Sequence, residues 1–246
     1  MNKTYAFSDI HGIYDLWAQI RDYCDETDTI YFLGDACDRG PDGLKIMNEL
    51  LKDKRVIYLK GNHEDMLTIC VPEFIEGHFD NMFWWASNGG GLTWETLSKY
   101  SEDSQLYYVR KLNSLPDHAW YESPKGHKVF LTHAGTDLKY TERELVMMGR
   151  KDPYIWDRKH FFAPHPADMP DVYQVHGHTP VQILREEYRF FEPQTKTKVI
   201  TEVFQYCDGH KFDIDMCSFA SGRTALIDLD TFEVIYFDTT KRIEVL

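Results

Sequence analysis

The sequence predicts an α/β fold with a parallel or mixed β-sheet and a C-terminal part that is rich in strands. Two patterns predict it. Short apolar strands alternate with amphipathic helices through the first third of the chain, and β-rich runs return from residue 119 onward. With 246 residues, of which 43% are hydrophobic and 27% charged, the chain has ordinary globular composition. We therefore expect a single domain spanning residues 1–246.

The first third of the chain contains three strand–helix units. The predicted strands cover residues 3–8, 29–33 and 55–59, each a short apolar run. The predicted helices cover residues 13–24, about 43–52, and a stretch that begins over 64–70. Such alternation is typical of βαβ units, and it predicts a parallel or mixed sheet.

The middle and the end of the chain have different patterns. Residues 72–115 are aromatic and helical in tendency, and they predict a helical insertion that a loop at 88–91 interrupts. Strands return at 119–122, 128–132 and 172–175. The final β-rich runs, at 198–204, 224–229 and 233–237, predict an antiparallel meander.

Composition excludes several classes of protein. The formal net charge of −13 argues against a nucleic-acid binder, which needs clustered Lys and Arg. No apolar run approaches the roughly 20 residues that cross a bilayer, and Asp9 interrupts the N-terminal apolar stretch, so neither a membrane protein nor a signal peptide is expected. Five cysteines without a CxxC pair indicate reduced thiols and a cytoplasmic protein.

Five polar clusters come directly after predicted strands. They read SDIHG at 8–12, GDACDRG at 34–40, GNHE at 61–64, THAG at 132–135 and HGHTP at 176–180. A single Asp-x-His or Gly-Asp is usually a turn or a helix cap. Five such clusters in this order are hard to produce by accident, and the carboxyl ends of strands face the ligand crevice in open α/β sheets. We therefore expect the five clusters to converge on one site.

This ordered set of clusters resembles the calcineurin-like metallophosphoesterases. Within them it is similar to the PPP-type serine/threonine protein phosphatases in their compact bacterial and phage form. IWDR at 155–158, WASNGGGLT at 85–93 and GRTAL at 222–226 resemble further segments of that group. The resemblance implies the four-layer metallophosphoesterase sandwich, with two mixed sheets between helices.

The resemblance also implies a site for two divalent metal ions. Asp9 and His11 would bind the first metal and Asp35 would bridge both. The second metal would be completed by Asn62, His133 and His178. Carboxylate, imidazole and amide ligands suit manganese best, with iron or zinc as alternatives. The set holds no thiolate, and Cys37 is interpreted as a packed neighbour.

The implied chemistry is direct hydrolysis. Two metals that share a water lower its pKa, and the resulting hydroxide would attack phosphorus in line without a phosphoenzyme. His63 would protonate the leaving alkoxide, and Asp38 would orient its ring. Arg39 and Arg158 would hold the phosphate oxygens and offset the charge of the transition state.

Some residues carry open interpretations. His176 either lines the site or is a buried structural histidine, and Asn88 could reach the substrate from the helical insertion. The chain also departs from the family pattern. Ser8 stands where the family usually has Gly, and Met216-Cys217 replaces Thr-Gly, which bears on the substrate more than on catalysis.

The leading functional hypothesis is a phosphomonoesterase acting on phosphoserine and phosphothreonine in proteins. The alternative is a symmetrical dinucleoside tetraphosphate hydrolase, or a broad-specificity phosphoesterase, on the same fold. Asp38 and Glu64 favour the protein phosphatase, because the tetraphosphatase group often lacks that first Asp and commonly has Asp at the second position. Acidic composition disfavours a nucleic-acid phosphodiesterase. A catalytically inactive binding module would have lost a metal ligand, and all six are present.

Overall fold

The computed structural model describes residues 2–188 and 202–239, and the described residues contain two five-stranded β-sheets. The strands are β1 Thr4–Phe7, β2 Thr29–Phe32, β3 Val56–Tyr58, β4 His118–Glu122, β5 Lys128–Thr132, β6 Val172–His176, β7 Phe204–Tyr206, β8 Lys211–Asp213, β9 Arg223–Asp228 and β10 Val234–Asp238. The helices are α1 Tyr14–Tyr23, α2 Gly43–Leu50, α3 Asn62–Ile75, α4 Asp80–Trp85, α5 Gly91–Leu97, α6 Glu102–Asn113, α7 Glu142–Met147, α8 Pro153–Trp156, α9 Val181–Tyr188 and α10 Ser218–Ser221.

The first sheet has the order β10-β9-β1-β2-β3. Its three N-terminal strands run parallel, whereas β9 pairs antiparallel with β1 and β10 antiparallel with β9. The second sheet has the order β4-β5-β6-β8-β7, in which β5, β6 and β8 are parallel and the two edge strands are antiparallel. Both sheets are therefore mixed, as the sequence predicts.

The core consists of two layers separated by the first sheet. Because strand side chains alternate between faces, β1 turns Tyr5 and Phe7 towards the helices and Ala6 towards the second sheet. Buried side chains of both sheets fill the space between them, Leu131 and Phe212 among them. Burial at about 25 cal/mol per Å² of apolar surface makes this packing the main stabilising contribution.

Helices cover the outer faces of both sheets. Buried residues of α1, α2 and α3 pack on the first sheet, and Leu184 of α9 packs against Tyr206 on the outer face of the second. The layers thus run helices, sheet, sheet, helix, and the predicted α/β class with two mixed sheets flanked by helices is confirmed. No helix among the described residues is both long and apolar enough to cross a membrane.

The structure corrects three details of the sequence-based prediction. Helix α3 continues through Pro72 to Ile75, because a proline removes one backbone hydrogen bond without ending a helix that buried neighbours hold. The predicted loop at 88–91 is a short kink between two helices, in which Gly89 takes a left-handed backbone with φ 101° and its neighbours stay helical.

The predicted C-terminal meander is wrong. The last four strands form two antiparallel pairs in different sheets, β7–β8 in the second and β9–β10 in the first. Apolar alternation predicts that a segment is a strand, but long-range packing chooses its partner. The predicted strand at 198–204 lies mostly outside the described residues.

Candidate active site

The five polar clusters meet at one edge of the paired sheets, where β1, β2, β3, β5 and β6 all end. Backbone hydrogen bonds join the loops within each sheet. Asp9 N–H donates to Gly34 O at 3.1 Å, and Gly177 N–H donates to His133 O at 2.8 Å. The two sheets are tied together by His133, whose Nδ1–H donates to Leu33 O at 2.8 Å. The convergence therefore depends on the packing of one sheet on the other.

Much of the site lies on strained backbone. Six of the ten predicted site residues have a positive φ, between 43° and 71°, namely Asp9, His11, Asp35, Asp38, Arg39 and His178. Such conformations cost free energy and cluster at functional sites. The loops also approach closely, since a Cβ on Gly12 would lie 2.5 Å from Gly40 O. Sharp turns at the strand ends thus aim the polar side chains into a common centre.

Asp35 lies between two groups of potential ligands. One carboxylate oxygen, Oδ2, faces His11 Nε2 at 3.6 Å, and the other, Oδ1, faces His133 Nε2 at 3.5 Å. Asp9 Oδ1 lies 3.9 Å from His11 Nε2 on the first side. Two groups of three side chains have ligand atoms within 4.8 Å of one another, His11 with Asp35 and His63, and Asp9 with Asp35 and His133, so Asp35 belongs to both. This is the placement that a bridging carboxylate requires.

The second group brings an amide oxygen and two imidazole nitrogens close together. His133 uses its Nδ1–H elsewhere, so its Nε2 carries a lone pair, and this atom lies 2.9 Å from Asn62 Oδ1. His178 Nδ1 lies 2.8 Å from the same amide oxygen and 3.2 Å from His133 Nε2. An amide oxygen and two imidazoles thus converge beside a carboxylate. This donor set fits a hard or borderline divalent cation.

Electrostatics also favour bound cations. Burial and the Asp9 carboxylate raise the pKa of Asp35 well above its usual range, and the same two causes raise the pKa of Asp215. Burial lowers the pKa of His11, His133 and His178, which keeps these imidazoles neutral, as metal ligands must be. Crowded buried carboxylates beside neutral imidazoles are stabilised by a divalent cation.

One oxygen of Asp9 is already engaged. Asp9 Oδ2 accepts hydrogen bonds from the Ser8 hydroxyl and from the backbone N–H of His178 at 3.0 Å. The remaining oxygen, Oδ1, faces His11. Ser8, which replaces the family's usual Gly, thus orients the carboxylate and leaves its ligand oxygen accessible.

His63 and Asp38 form a buried pair. His63 Nδ1–H donates to Asp38 Oδ2 at 2.7 Å, and Trp85 Nε1–H donates to the same oxygen at 2.7 Å. Burial raises the pKa of Asp38 to about 6 and lowers the pKa of His63 well below 6.5. Thr93 Oγ1 accepts the Asp38 backbone N–H at 2.9 Å. The tryptophan and threonine of the 85–93 segment therefore hold Asp38, a role that sequence reasoning missed.

The two arginines approach the centre from opposite sides. Arg39 donates from Nη1 to His11 Nε2 at 2.6 Å and from Nη2 to His63 Nε2 at 3.1 Å. Arg158 donates from Nε to His178 Nε2 at 3.2 Å. Both line a cleft of about 430 Å³ over the ligand cluster. The rest of its lining is Asp35, Asn62, His63, Asn88, Gly149, Arg150, Lys151, Trp156, Asp157, Lys159 and His178.

The structure distinguishes between the alternative roles of the residues that the sequence left open. Asn88 lines the cleft, although its side-chain amide donates to Trp84 O at 2.8 Å. His176 is buried, is hydrogen-bonded to Tyr206 Oη at 2.7 Å and does not line the cleft. Of its two possible roles, this placement fits that of a buried structural histidine. Cys37 is fully buried, and burial raises the pKa of its thiol well above 9, so it is packed among the site loops as a neutral thiol.

Glu64 has a role that the sequence analysis did not identify. Its fully buried carboxylate accepts four hydrogen bonds. Three come from the backbone N–H groups of Asp35, Ala36 and Gly61 at 2.8–2.9 Å, and one comes from Tyr58 Oη at 2.8 Å. Glu64 thus fastens the loop after β2 to the start of α3. Its position three residues after Gly61, as in a capping box, was the available signal.

Replacing Glu64 with Gln is expected to destabilise the fold. The new amide NH₂ would face two donors, so the unfolding free energy should fall by about 2–4 kcal/mol. The denaturation midpoint should decrease at unchanged slope. Glu49→Gln is the matched control, because Glu49 also accepts from two aromatic side chains and an arginine but is 31% exposed. Equal losses in both variants would contradict the anchoring role.

Comparison with known proteins places this geometry in a family. Residues 3–214 match the profile of the calcineurin-like phosphoesterases. A curated relative from Wigglesworthia glossinidia brevipalpis, named symmetrical bis(5'-nucleosyl)-tetraphosphatase, is 39% identical over 151 residues, which cover 60% of this chain and 50% of the relative. The chain spans about half the length of the curated relatives it matches.

Solved structures share the fold at low sequence identity. A proposed diadenosine tetraphosphatase superposes with a TM-score of 0.61 at 15% identity, over 96% of this chain and 93% of that one. A serine/threonine phosphatase from Saccharomyces cerevisiae, similar to human phosphatase PP5, has a TM-score of 0.58 at 16% identity, over 98% and 81% of the two chains. The chain therefore belongs to the calcineurin-like phosphoesterases, a family of metal-dependent phosphoester hydrolases, as the sequence predicts.

Proposed function

We propose that this protein cleaves dinucleoside tetraphosphates symmetrically, adding water across the central P–O–P linkage to release two nucleoside diphosphates. The observation that carries the proposal is the charge of the cleft. Although the chain has a net charge of −13, five cationic side chains line this one cleft, namely Arg39, Arg150, Lys151, Arg158 and Lys159. Two arginines beside the reaction centre suffice for a phosphate monoester, whereas a tetraphosphate presents further phosphates to the outer three.

The curated relatives support the same substrate. The matching proteins from Wigglesworthia and Buchnera are both named symmetrical bis(5'-nucleosyl)-tetraphosphatase, with 39% and 33% identity over the aligned parts. A polyphosphate chain binds where several cations line one groove, and Arg150, Lys151 and Lys159 line this cleft together with the two inner arginines.

The proposed chemistry assigns a role to each inner residue. Two divalent cations held by Asp9, His11, Asp35, Asn62, His133 and His178 would supply Lewis-acid activation of water and of the phosphoryl oxygens. Arg39 and Arg158 would hold the non-bridging oxygens and offset the developing negative charge. His63 would deliver a proton to the departing oxygen, and Asp38, bonded to Nδ1, fixes the ring so that Nε2 faces the cleft.

The second candidate is hydrolysis of phosphoserine and phosphothreonine in proteins. The presence of Asp38 favours it, as the resemblance to protein phosphatases implies. The parallel argument from Glu64 carries no weight for the substrate, because this carboxylate is buried beneath the loops and points at backbone amides. The two candidates share one metal centre and differ in what occupies the outer cleft.

A parallel assay decides between them. Metal-stripped protein reloaded with manganese should hydrolyse diadenosine tetraphosphate with a higher kcat/KM than phosphoserine or phosphothreonine peptides. Chromatography should show ADP as the only nucleotide product. Formation of ATP and AMP would contradict symmetrical cleavage, and preference for the peptides would favour the protein phosphatase.

The three cationic side chains of the cleft other than the two inner arginines, Arg150, Lys151 and Lys159, provide a sharper test. In the double variant Lys151→Gln/Lys159→Gln, kcat/KM for the tetraphosphate should fall roughly 3- to 10-fold, because each exposed ion pair contributes up to about 1 kcal/mol. Hydrolysis of p-nitrophenyl phosphate should change little. The control is Lys99→Gln, an exposed lysine that pairs with Glu95 and is not among the cleft lining. Equal losses on both substrates would argue against an extended phosphate site.

We further propose that manganese is the native metal and that the enzyme acts in the cytoplasm. The oxygen and nitrogen ligand set suits manganese, with iron and zinc as alternatives. All five cysteines are free thiols, as is typical of proteins in reducing compartments.

A further inference from the structure

Phe219 packs against the inner arginine of the site. Its ring lies 4.7 Å from the Arg39 guanidinium carbon, within the range of a cation–π contact. The ring also meets the edge of His11, with centroids 5.9 Å apart. Phe219 lies on α10, in the segment that follows the unusual Met216-Cys217 pair. No part of the proposed chemistry uses this residue.

The backbone of the preceding segment determines where Phe219 points. Asp215 Oδ1 accepts the backbone N–H of Cys217 at 2.7 Å, and Cys217 has a left-handed backbone with φ 57°. Helix α10 begins directly after this turn, and Gly222, with φ 69°, follows its last residue. The turn places the aromatic ring beside the Arg39 guanidinium.

Arg39 is enclosed on its other side by the helical insertion. Its backbone N–H donates to Gly89 O at 2.9 Å, and a Cβ on Gly89 would lie 2.6 Å from Arg39 Cγ. The stem of the arginine is thus held by the turn between α4 and α5. Its guanidinium group donates hydrogen bonds to the imidazole Nε2 atoms of His11 and His63.

One of these two partners competes with the metal. His11 donates its Nδ1–H to Cys37 O at 3.0 Å, so its lone pair is on Nε2, the nitrogen that faces Asp9 and Asp35. A cation held there would take this lone pair, and Arg39 would then lose its shortest hydrogen bond. The contact of Arg39 with the face of Phe219 does not use the His11 lone pair, so metal binding at His11 would not remove it.

We propose that Phe219 is a positioning residue that holds the Arg39 guanidinium towards the phosphate when the metal site is loaded. The inference rests on the proposed role of Arg39 as a phosphate ligand and is independent of which leaving group the enzyme takes. An aromatic face restrains the guanidinium without neutralising it, so its full charge is available to the phosphate.

The test is a double-mutant cycle read by phosphate binding. In manganese-loaded protein, Phe219→Leu should weaken the binding of inorganic phosphate, measured by calorimetry, roughly 3- to 30-fold. Phe219→Tyr, which keeps the aromatic face, should stay within about 2-fold of the parent. In an Arg39→Ala background, Phe219→Leu should cause no further loss. Manganese content and melting temperature should be the same in Phe219→Leu as in the parent.

Tyr107→Leu is the matched control, because Lys111 lies 5.7 Å from the Tyr107 ring, outside the cleft. It should leave phosphate binding unchanged. Unchanged binding in Phe219→Leu, or the same loss with and without Arg39, would overturn the positioning role. If Arg39→Ala itself left phosphate binding intact, the proposed role of Arg39 would fail as well, so the two failures are distinguishable.

Discussion

Asp35→Asn is expected to lose metal and activity together while the fold persists. Asp35 lies between the two ligand groups, so neutralising it weakens both at once. Removing a residue that only orients a metal ligand typically lowers metal affinity or activity about 10- to 100-fold. Removing a bridging ligand should cause a larger loss of metal affinity. Metal analysis after dialysis against limiting manganese should give clearly less metal per chain than the parent, and phosphoester hydrolysis should fall in parallel.

Stability separates this effect from misfolding. Burial and the Asp9 carboxylate raise the pKa of Asp35, so its charge destabilises the metal-free fold. The metal-stripped Asn variant should therefore melt at the same temperature as the parent or higher, and its Oδ1 can still accept the His63 N–H. Asp230→Asn is the control, because this carboxylate accepts two hydroxyls at the opposite edge of the first sheet. Full retention of metal in Asp35→Asn would contradict the bridging role.

His63→Asn is expected to lower turnover according to the leaving group. General acid catalysis typically contributes about 10²–10⁴-fold, and it matters most when the departing oxygen is strongly basic. On a phosphoserine peptide, kcat/KM should therefore fall by about that factor. On p-nitrophenyl phosphate and on diadenosine tetraphosphate, whose leaving groups are weakly basic, the loss should be much smaller. Metal content should remain near that of the parent.

The comparison across substrates makes this prediction specific. His127→Asn serves as the control. This histidine is hydrogen-bonded to Leu229 O, far from the edge of the sheets at which the cleft lies. It should leave all three rates unchanged. Equal losses for His63→Asn on an alkyl phosphate and an aryl phosphate would assign His63 to substrate binding and not to proton transfer.

The order of motifs along the chain was enough to predict the fold class and to propose every residue of the inner site. Apolar strands are recognisable locally because their period and composition differ from those of helices. Polar residues that follow such strands in α/β proteins share one edge of the sheet. This is why the sequence alone predicts that Asp9, Asp35 and Asn62, from three separate units, converge.

The supporting contacts were beyond sequence reasoning. Trp85 was notable only as part of the 85–93 segment, yet its indole donates to Asp38, 47 positions away in the sequence. Glu64 read as a hint about the substrate, yet its carboxylate binds backbone amides beneath the loops. Neither role leaves a periodic pattern, because each depends on the direction of one side chain in the folded protein.

The sequence by itself determined the local features: which segments are strands or helices, which polar residues follow those strands, and the phosphoesterase family whose motifs they resemble. Tertiary structure alone decided which sheet each C-terminal strand joins, how the two sheets align to bring His133 and His178 to Asn62, and how cations line the cleft. The physical reason is the separation along the chain over which each kind of interaction acts. Local propensity and period act within a few residues, whereas pairing, burial and charge clustering are set by contacts between distant parts of the chain.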